Sequence, residues 1–496
     1  MKDVIENIAK RRGFFWQSSE IYGGISGFYD YAPIGTMLKR NLENLWRSYF
    51  LDIDDNFFEI ESADIMPGNV FVASGHLKNF TDPIVKCKKC GSTYRADHIL
   101  EDNLKESFEG LNSEKMSNLI KEHNIKCGKC GGLLEDVGTV NMMFPVNIGV
   151  ERPSTAYLRP ETAQGAYVNF KLAFEAMRKK LPLGLAIIGK AYRNEISPRN
   201  ALLRMREFTQ AELQIFFDSD KIDEHERFKE IEDYVIRIFP ASSRKNGKTE
   251  EINCDILSKK LPKFYIFYMA KMQQFYLDIL KIPREKLRFR ELGDEERAFY
   301  NKYHYDLELQ LSLGWKEVAG LHYRTDHDLA GHEKISKKEM AINVDGKKFI
   351  PHVIELSFGI DRNIFALLDI CYKQDKERTL FSFPRLLSPF DCAVFPLLKK
   401  NDLSEKALEI KTMLKKSGFS TFYDDSGSIG RRYRRMDEIG VPICITIDHK
   451  TLEDDTVTIR DRDSMKQVRT NIRYIESKMK SFVHGDKIED LGELVK

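Results

Sequence analysis

The stretch LAIIGKAYRNEISPRNALLRMREFTQAELQIFFD, residues 185–218, decides how this chain is read. Residues 185–196 predict a strand, Ser197-Pro198-Arg199-Asn200 opens a loop, and residues 205–217 predict the returning strand. Successive side chains of a strand point to opposite faces. Arg193 and Glu195 then share a face of the first strand. Arg206, Phe208, Gln210 and Glu212 share a face of the second, and Leu213, Ile215 and Phe217 take the other. A charged sheet face is often only a solvated one. Here an aromatic ring stands among the charges, and a second segment complements them. Residues 351–369 predict strand, turn and helix: Glu355 and Ser357 on one strand face, Gly359 in the turn, and Arg362 in the first helical turn. Ile360, Ile364, Leu367 and Leu368 give that helix a buried side. Arginines on neighbouring elements suit a nucleoside triphosphate, whose oxygens accept planar N–H donors in pairs.

The rest of the chain sets the frame. Its 496 residues allow two to four domains, and 42% hydrophobic with 31% charged residues is an ordinary globular balance. A formal net charge of +2 means that any nucleic acid must be held by local basic patches. Residues 1–16 are charged and lack the apolar stretch of a secretory signal, and no run reaches the roughly 18 apolar residues of a membrane helix. The expected location is the cytoplasm. Of eight cysteines, four form two knuckles, Cys87-Lys88-Lys89-Cys90 and Cys127-Gly128-Lys129-Cys130. Four thiolates at this spacing suit tetrahedral zinc. Cys254, Cys371, Cys392 and Cys444 read as core residues.

Residues 86–135 read as an inserted zinc module, 136–218 as sheet, 219–312 as a mostly helical insertion and 313–387 again as sheet and helix. Ser388-Pro389 marks a boundary, after which 388–496 alternates short strands (392–395, 420–423, 443–447) with helices (403–417, 429–439), a small α/β domain. Its run Gly430-Arg431-Arg432-Tyr433-Arg434-Arg435 is basic with an interleaved aromatic, a pattern that is commonly a solvated helix face.

Tyr192-Arg193-Asn194-Glu195 followed by Arg206-Glu207-Phe208 resembles motif 2 of the class II aminoacyl-tRNA synthetases, and Gly359-Ile360-Asp361-Arg362 resembles motif 3. Residues 38–67, ending in Ile65-Met66-Pro67, resemble motif 1, so 1–85 reads as the N-terminal part of a catalytic domain. Among these enzymes the glycyl type is most similar. Tyr29-Asp30-Tyr31-Ala32-Pro33-Ile34-Gly35, Arg159-Pro160-Glu161-Thr162-Ala163-Gln164-Gly165, Thr209-Gln210-Ala211-Glu212, Glu317-Val318-Ala319-Gly320 and Val353-Ile354-Glu355-Leu356-Ser357 all look like its signatures. Four positions depart from the pattern: Leu356 replaces a proline, Ala32 a glycine, and His322-Tyr323 a small and an acidic residue.

The resemblance implies an α+β fold: an antiparallel class II sheet flanked by helices, with a zinc insertion, a helical insertion and a C-terminal α/β anticodon-binding domain. It implies a homodimer through the motif 1 region, and glycine, ATP with magnesium, and glycine tRNA as substrates and partners. Arg193, Glu195 and Arg362 become the catalytic set. Arg193 meets the α-phosphate, Phe208 and Arg362 sandwich the adenine, and Glu195 reads its amino group; Asn194, Arg204, Met205, Glu317 and Val318 lie against ATP, with Glu317 a magnesium ligand. Glu161, Glu212, Glu355 and Ser357 line a glycine pocket, with Arg95 and Arg324 toward the glycine carboxylate. Arg431, Arg432, Arg434 and Arg435 are expected to meet tRNA. Two other readings compete: a sister synthetase for proline, threonine or histidine, and a non-catalytic accessory subunit of the same fold. Glu212 and Glu355 argue against the first, and Arg193, Glu195 and Arg362 against the second.

Overall fold

The computed structural model describes residues 2–104, 111–150, 154–198, 200–293, 296, 301–375 and 378–495. Arg199 of the motif 2 loop and residues 105–110 of the cysteine module therefore lie outside the described residues. The central hairpin is built from β2 (Leu183–Tyr192) and β3 (Glu207–Phe217), flanked by β1 (Phe57–Glu59) and β9 (His352–Gly359). Beyond β9 come β8 (Gly314–Thr325), β7 (Tyr303–Leu311), β6 (Leu287–Glu291), β4 (Val235–Phe239) and β5 (Glu250–Asn253), in the order β5-β4-β6-β7-β8-β9-β3-β2-β1. Pairing is antiparallel except for β1 with β2 and β4 with β6.

Both faces of β3 are buried, which is why this sheet does not read as one-sided. Leu213, Ile215 and Phe217 enter the main core, together with α1 (Pro33–Leu51), α3 (Lys263–Gln274) and α5 (Ile360–Cys371). Phe358 of β9 is its hub, with the rings of Trp46, Phe50, Phe275 and Tyr276 centred 4.9–6.2 Å away. The other face carries polar groups and is covered by α2 (Ala163–Ala176) and α4 (His327–Ser336); Phe170 of α2 stacks on Phe216 at 4.2 Å.

Three differences from the sequence reading have physical causes. Arg193, Asn194 and Glu195 lie past the end of β2, and Met205 and Arg206 lie before β3. The Asn194 amide donates to the Met142 carbonyl (2.8 Å), and Arg206 Nε donates to the Glu195 carbonyl (2.9 Å). These backbone groups leave the ladder, so Arg193 and Glu195 share no strand face. Residues 219–312 carry helix α3 but also β4–β7, so this segment extends the catalytic sheet instead of standing apart as a helical insertion. The apolar spacing of α3 dominates the local pattern, whereas the strands acquire partners only in the fold. Around the cysteines, the sheet of Thr81–Lys86, Thr93–Arg95 and Gly138–Asn141 reaches beyond 86–135 on both sides, over a small core of Val85, Leu100, Met116 and Ile120.

The tail has a sheet ordered β11-β10-β12-β13-β14-β15: β10 (Cys392–Pro396), β11 (Thr421–Tyr423), β12 (Ile443–Ile447), β13 (Thr456–Asp461), β14 (Gln467–Asn471) and β15 (Glu493–Leu494). Helices α6 (Asn401–Lys416), α7 (Ile429–Ile439) and α8 (Ile475–Val483) accompany it. The tail has its own core, yet Phe395, Met436, Ile439 and Val441 join the main one with Phe14, Phe381 and Phe383. Polar contacts bind the same junction. Asp437, fully buried on α7, accepts from Arg460 (2.9 and 3.0 Å) and from Arg378 (3.1 Å). Arg462 donates to the carbonyls of Gly440 (2.7 Å) and Phe383 (2.9 Å). Asp437→Ala leaves the buried Arg460 guanidinium without its carboxylate and removes one of the two that Arg378 holds, so it should destabilise the chain by about 3–5 kcal/mol. Urea unfolding followed by circular dichroism checks this. A loss below about 1 kcal/mol would mean that water or other acceptors take over.

Candidate active site

The antiparallel register assembles a pocket on the polar face at the sheet centre. One row across it is Ile187, Glu212, Ser357 and Gly320; the next is Leu185, Gln214, Glu355 and His322. Glu161, Thr162 and Gln164 descend from the start of α2, and Asp328 from α4. Arg324 ends β8, where the pairing with β9 shifts register and Thr325 adopts φ +56°, a left-handed conformation unusual for a β-branched residue.

Four buried carboxylates, those of Glu161, Glu212, Asp328 and Glu355, stand around the buried guanidinium of Arg324. Arg324 binds Asp328 through Nε and Nη2 (2.8 and 3.0 Å), donates from Nη1 to Glu355 (3.0 Å) and lies 3.6 Å from Glu161. Glu212 accepts only from neutral groups: Thr162 and Ser357 (both 2.7 Å) and Gln210 (2.9 Å). Glu355 also accepts from Gln214 (2.8 Å), and Gln164 donates to Glu161 (2.9 Å) and Asp328 (3.1 Å).

Electrostatics follow from this imbalance. Burial pushes the Glu355 carboxyl up to about 8, against the pull of Arg324, and Glu212 and Glu161 add to the rise. Burial, then repulsion from Glu161, raises Glu212. Glu161 is opposed by burial, but His76 and Arg324 hold it well below the usual carboxylate range. Burial, then His304 and Arg324, keeps the His322 imidazole neutral. The pocket thus has an unmet demand for a compact cation.

Beside it lies a set suited to a nucleotide. Arg193 donates to the Pro160 carbonyl (3.0 Å), and its guanidinium lies 5.4 Å from the Phe80 ring centre and 5.2 Å from that of Phe208. Glu195 is buried, and its Oε2 accepts no hydrogen bond among the described residues. Arg204 and Arg95 stand 3.8 and 3.9 Å from it, a spare acceptor for an amino group. Arg362 pairs with Glu317 (2.9 Å). Burial works against the Glu317 carboxylate, but Arg362 holds it below its ordinary range. Asp361 fixes the first turn of α5 to β3 and to the short strand Tyr29–Tyr31 that precedes α1, accepting from the Thr209 amide and the Tyr31 hydroxyl.

The comparisons with known proteins agree with this geometry. Residues 149–371 match the tRNA synthetase class II core domain (G, H, P, S and T), and residues 391–482 match an anticodon binding domain. The chain is 40% identical to the glycine–tRNA ligase of Pyrococcus furiosus and 41% identical to that of Thermococcus sibiricus, each alignment covering 97% of this chain and 99% of the relative. It is 38% identical to the glycine–tRNA ligase of Methanococcus vannielii, over 96% and 99%. The chain belongs to the glycine–tRNA ligase family.

Within this ligase fold, several expected residues fall elsewhere. Arg95 pairs with Asp97 (3.0 and 2.6 Å), Asp82 (2.9 Å) and Glu195, none of them a member of the acidic pocket. It thus belongs to the nucleotide side. Arg324 is in the pocket, but as the counter-charge of Asp328 and Glu355. Met205 and Val318 bury their side chains in the main core, and Asn194 is exposed. In the tail, Arg432 turns inward and donates to the carbonyls of Pro396, Leu397 and Gly427, so it cannot meet tRNA as expected. Arg435 pairs with Asp424 (2.5 Å), while Arg431 is exposed. His76, Thr162, Gln164, Gln210 and Asp328 are pocket residues to which the sequence reading gave no role. Gln210 shares the strand face of Glu212, Thr162 and Gln164 adjoin Glu161, and Asp328 follows Arg324 by four residues, whereas His76 leaves no local trace.

The four knuckle sulfurs converge, with all ligand atoms within 4.8 Å of one another, Cys87 to Cys130 at 3.5 Å and Cys90 to Cys127 at 3.6 Å. A tetrahedron with Zn–S of about 2.3 Å has edges of about 3.8 Å, so the set fits zinc. Gly91 and Gly131, at φ +68° and +67°, close the two turns. Cys254, Cys371, Cys392 and Cys444 are buried, and burial pushes the thiols of Cys254 and Cys371 up to about 12.

The protonation of Glu355 carries a prediction. A protonated carboxyl holds an ammonium poorly, so glycine affinity should strengthen as pH rises through about 8. Calorimetric titration of glycine between about pH 6.5 and 9 checks this, and Glu355→Gln should flatten the dependence. An equally steep dependence in that variant would place the titrating group elsewhere.

Proposed function

We propose that this chain joins glycine to its tRNA in two steps, forming glycyl adenylate from glycine and ATP and then passing glycine to the 3′ end of glycine tRNA. The observation that carries this is the pocket of four buried carboxylates around one guanidinium, set beside Arg193 and Arg362. A glycine ammonium supplies the missing cation. Glu161, Glu212 and Glu355 would orient it, with Ser357 fixing Glu212.

The glycine carboxylate is already a nucleophile, so the first step needs no protein base. It needs an α-phosphorus held in line and charge relieved as pyrophosphate departs. Arg193 would hold the α-phosphate. Phe208 and Arg362 would enclose the adenine, whose amino group finds the spare oxygen of Glu195. Glu317 stands near Asp306, whose carboxyl is raised by burial and then by Glu317 itself, so this oxygen-rich corner fits magnesium. Magnesium supplies charge neutralisation at the phosphates.

Selectivity rests on exclusion. The His322 imidazole fills the space over Gly320, with Nε2 2.6 Å from where a Cβ at position 320 would lie. A wall packed this closely leaves little room for a substrate methyl group, and every competing amino acid is larger than glycine. The four knuckle cysteines would hold zinc, which cross-links their own small module. Pairing of two chains would use the sheet of Ile65–Pro67, Phe144–Ile148 and Ser154–Leu158, where Ile65 and Ile148 are exposed. Reduced thiols and these substrates suit the cytoplasm.

ATP–pyrophosphate exchange, run without tRNA and with each amino acid separately, tests the first step. Glycine alone should support it, and Glu212→Gln should raise the glycine KM by roughly tenfold or more while leaving the ATP KM nearly unchanged. Exchange with proline or histidine instead of glycine would overturn the reading.

On the tRNA side, Arg431→Glu should raise the KM for tRNA, with a gap to wild type that narrows as salt rises, while exchange is unaffected. An unchanged tRNA KM would place the contact on another face. Elemental analysis should find one zinc per chain, and a ratio near zero would remove the metal from the cysteine module.

A further inference from the structure

We propose that His76 is a positioning residue for the amino-acid pocket, holding Glu161 from behind and tying it to the segment whose Phe80 packs against the ATP arginine. This rests on the reading of the pocket given above. Residues 68–80 form two short helices, Gly68–Ala73 and His76–Asn79, joined through Gly75 at φ +79°. The segment is anchored by Phe71, which packs with Met66 and Met143. His76 is buried, its ring edge-on to Phe71 (6.3 Å) and Phe80 (5.5 Å).

The two imidazole nitrogens have different partners. Ser74 Oγ lies 2.7 Å from Nδ1, and Glu161 Oε2 lies 3.5 Å from Nε2. With the serine hydroxyl donating to Nδ1, the proton stands on Nε2 and faces the carboxylate. The other oxygen of Glu161 accepts from Gln164 (2.9 Å), beside Arg324 (3.6 Å). Glu161 is thus held on both sides by groups outside the substrate space. The Nε2 proton directed at Oε2 also favours the ionised form of this carboxylate beside Glu212 and Glu355. Ser74 is only 3% exposed, so the serine–histidine–carboxylate order here serves orientation and not nucleophilic attack.

The same segment touches the second substrate site. Phe80, the ring neighbour of His76, is one of the two aromatics against the Arg193 guanidinium. An ammonium drawing on Glu161 therefore pulls on a unit that ends at the α-phosphate arginine. A residue that acts through Glu161 should control how well glycine is held, and less so the chemistry once both substrates are in place.

Exchange kinetics on the full-length protein test this. His76→Phe keeps the ring packing and removes both nitrogens; the glycine KM should rise roughly tenfold, with kcat within about threefold and the ATP KM unchanged. His76→Gln can present an N–H near the Nε2 position and should recover most of the loss. Ser74→Ala removes only the lock on Nδ1, and should give a smaller rise in the glycine KM. A glycine KM unmoved in His76→Phe, while wild type exchanges normally, overturns this proposal alone. Equal losses in the Phe and Gln variants, or a rise in both KM values together, also overturn it, since they report collapse of the segment. Failure of wild type to exchange with glycine at all overturns the reading of the pocket, and this proposal with it.

Discussion

Everything at the sheet centre answers to one imbalance: more buried carboxylates than buried cations. Isolated charges are costly to bury, and Arg324 is the one guanidinium set among four acids. Its fork joins Asp328 on α4 to Glu355 on β9, so a helix and a strand are registered through a single side chain. The acids its fork does not join are held in other ways: Glu212 is surrounded by hydroxyl and amide donors, and Glu161 stands between Gln164 and the His76 ring. The apolar side of the sheet must be rigid for this to hold. The aromatic cluster around Phe358 lies directly behind Ser357 and Glu355 and sets the plane from which they project.

A second consequence of the shared register is the closeness of the two substrate regions. Glu212 and Phe208 lie on the same face of β3, four residues apart. Thr209, between them, is hydrogen-bonded to Asp361, which precedes Arg362. The acidic pocket and Arg362 are thus fixed to one strand.

Much of this was legible in the sequence because the decisive residues are close together in it. The hairpin, the turn at Gly359 and the tail elements α7 and β12 follow from periodicity and punctuation. What escaped was set by distant partners. Nothing near Arg95 shows that Asp82 and Asp97 will enclose it. His76 meets Glu161 only because two loops far apart in sequence converge. β4 and β6 escape because short strands with scattered arginines look like surface until a neighbour covers them. Arg432 is a different case. It sits with Met436 and Ile439 at helical spacing, on the buried stripe of α7, so the period alone separates it from Arg431. Reading the basic run as a block obscured that.

The cysteine module has a reach that its size does not suggest. The hairpin whose turn is the Cys87–Cys90 knuckle also holds Asp82 on one strand and Arg95 on the other, paired to each other at 2.9 Å and standing at the edge of Glu195. Tyr94, next to Arg95, touches Cys127 (3.0 Å). Oxidants that act on these thiols, of which Cys90 is exposed, therefore strike a structure that is continuous with the surroundings of Glu195. On the proposed assignment of Glu195 to the adenine amino group, damage there would register as poorer nucleotide discrimination, with the acidic pocket left intact.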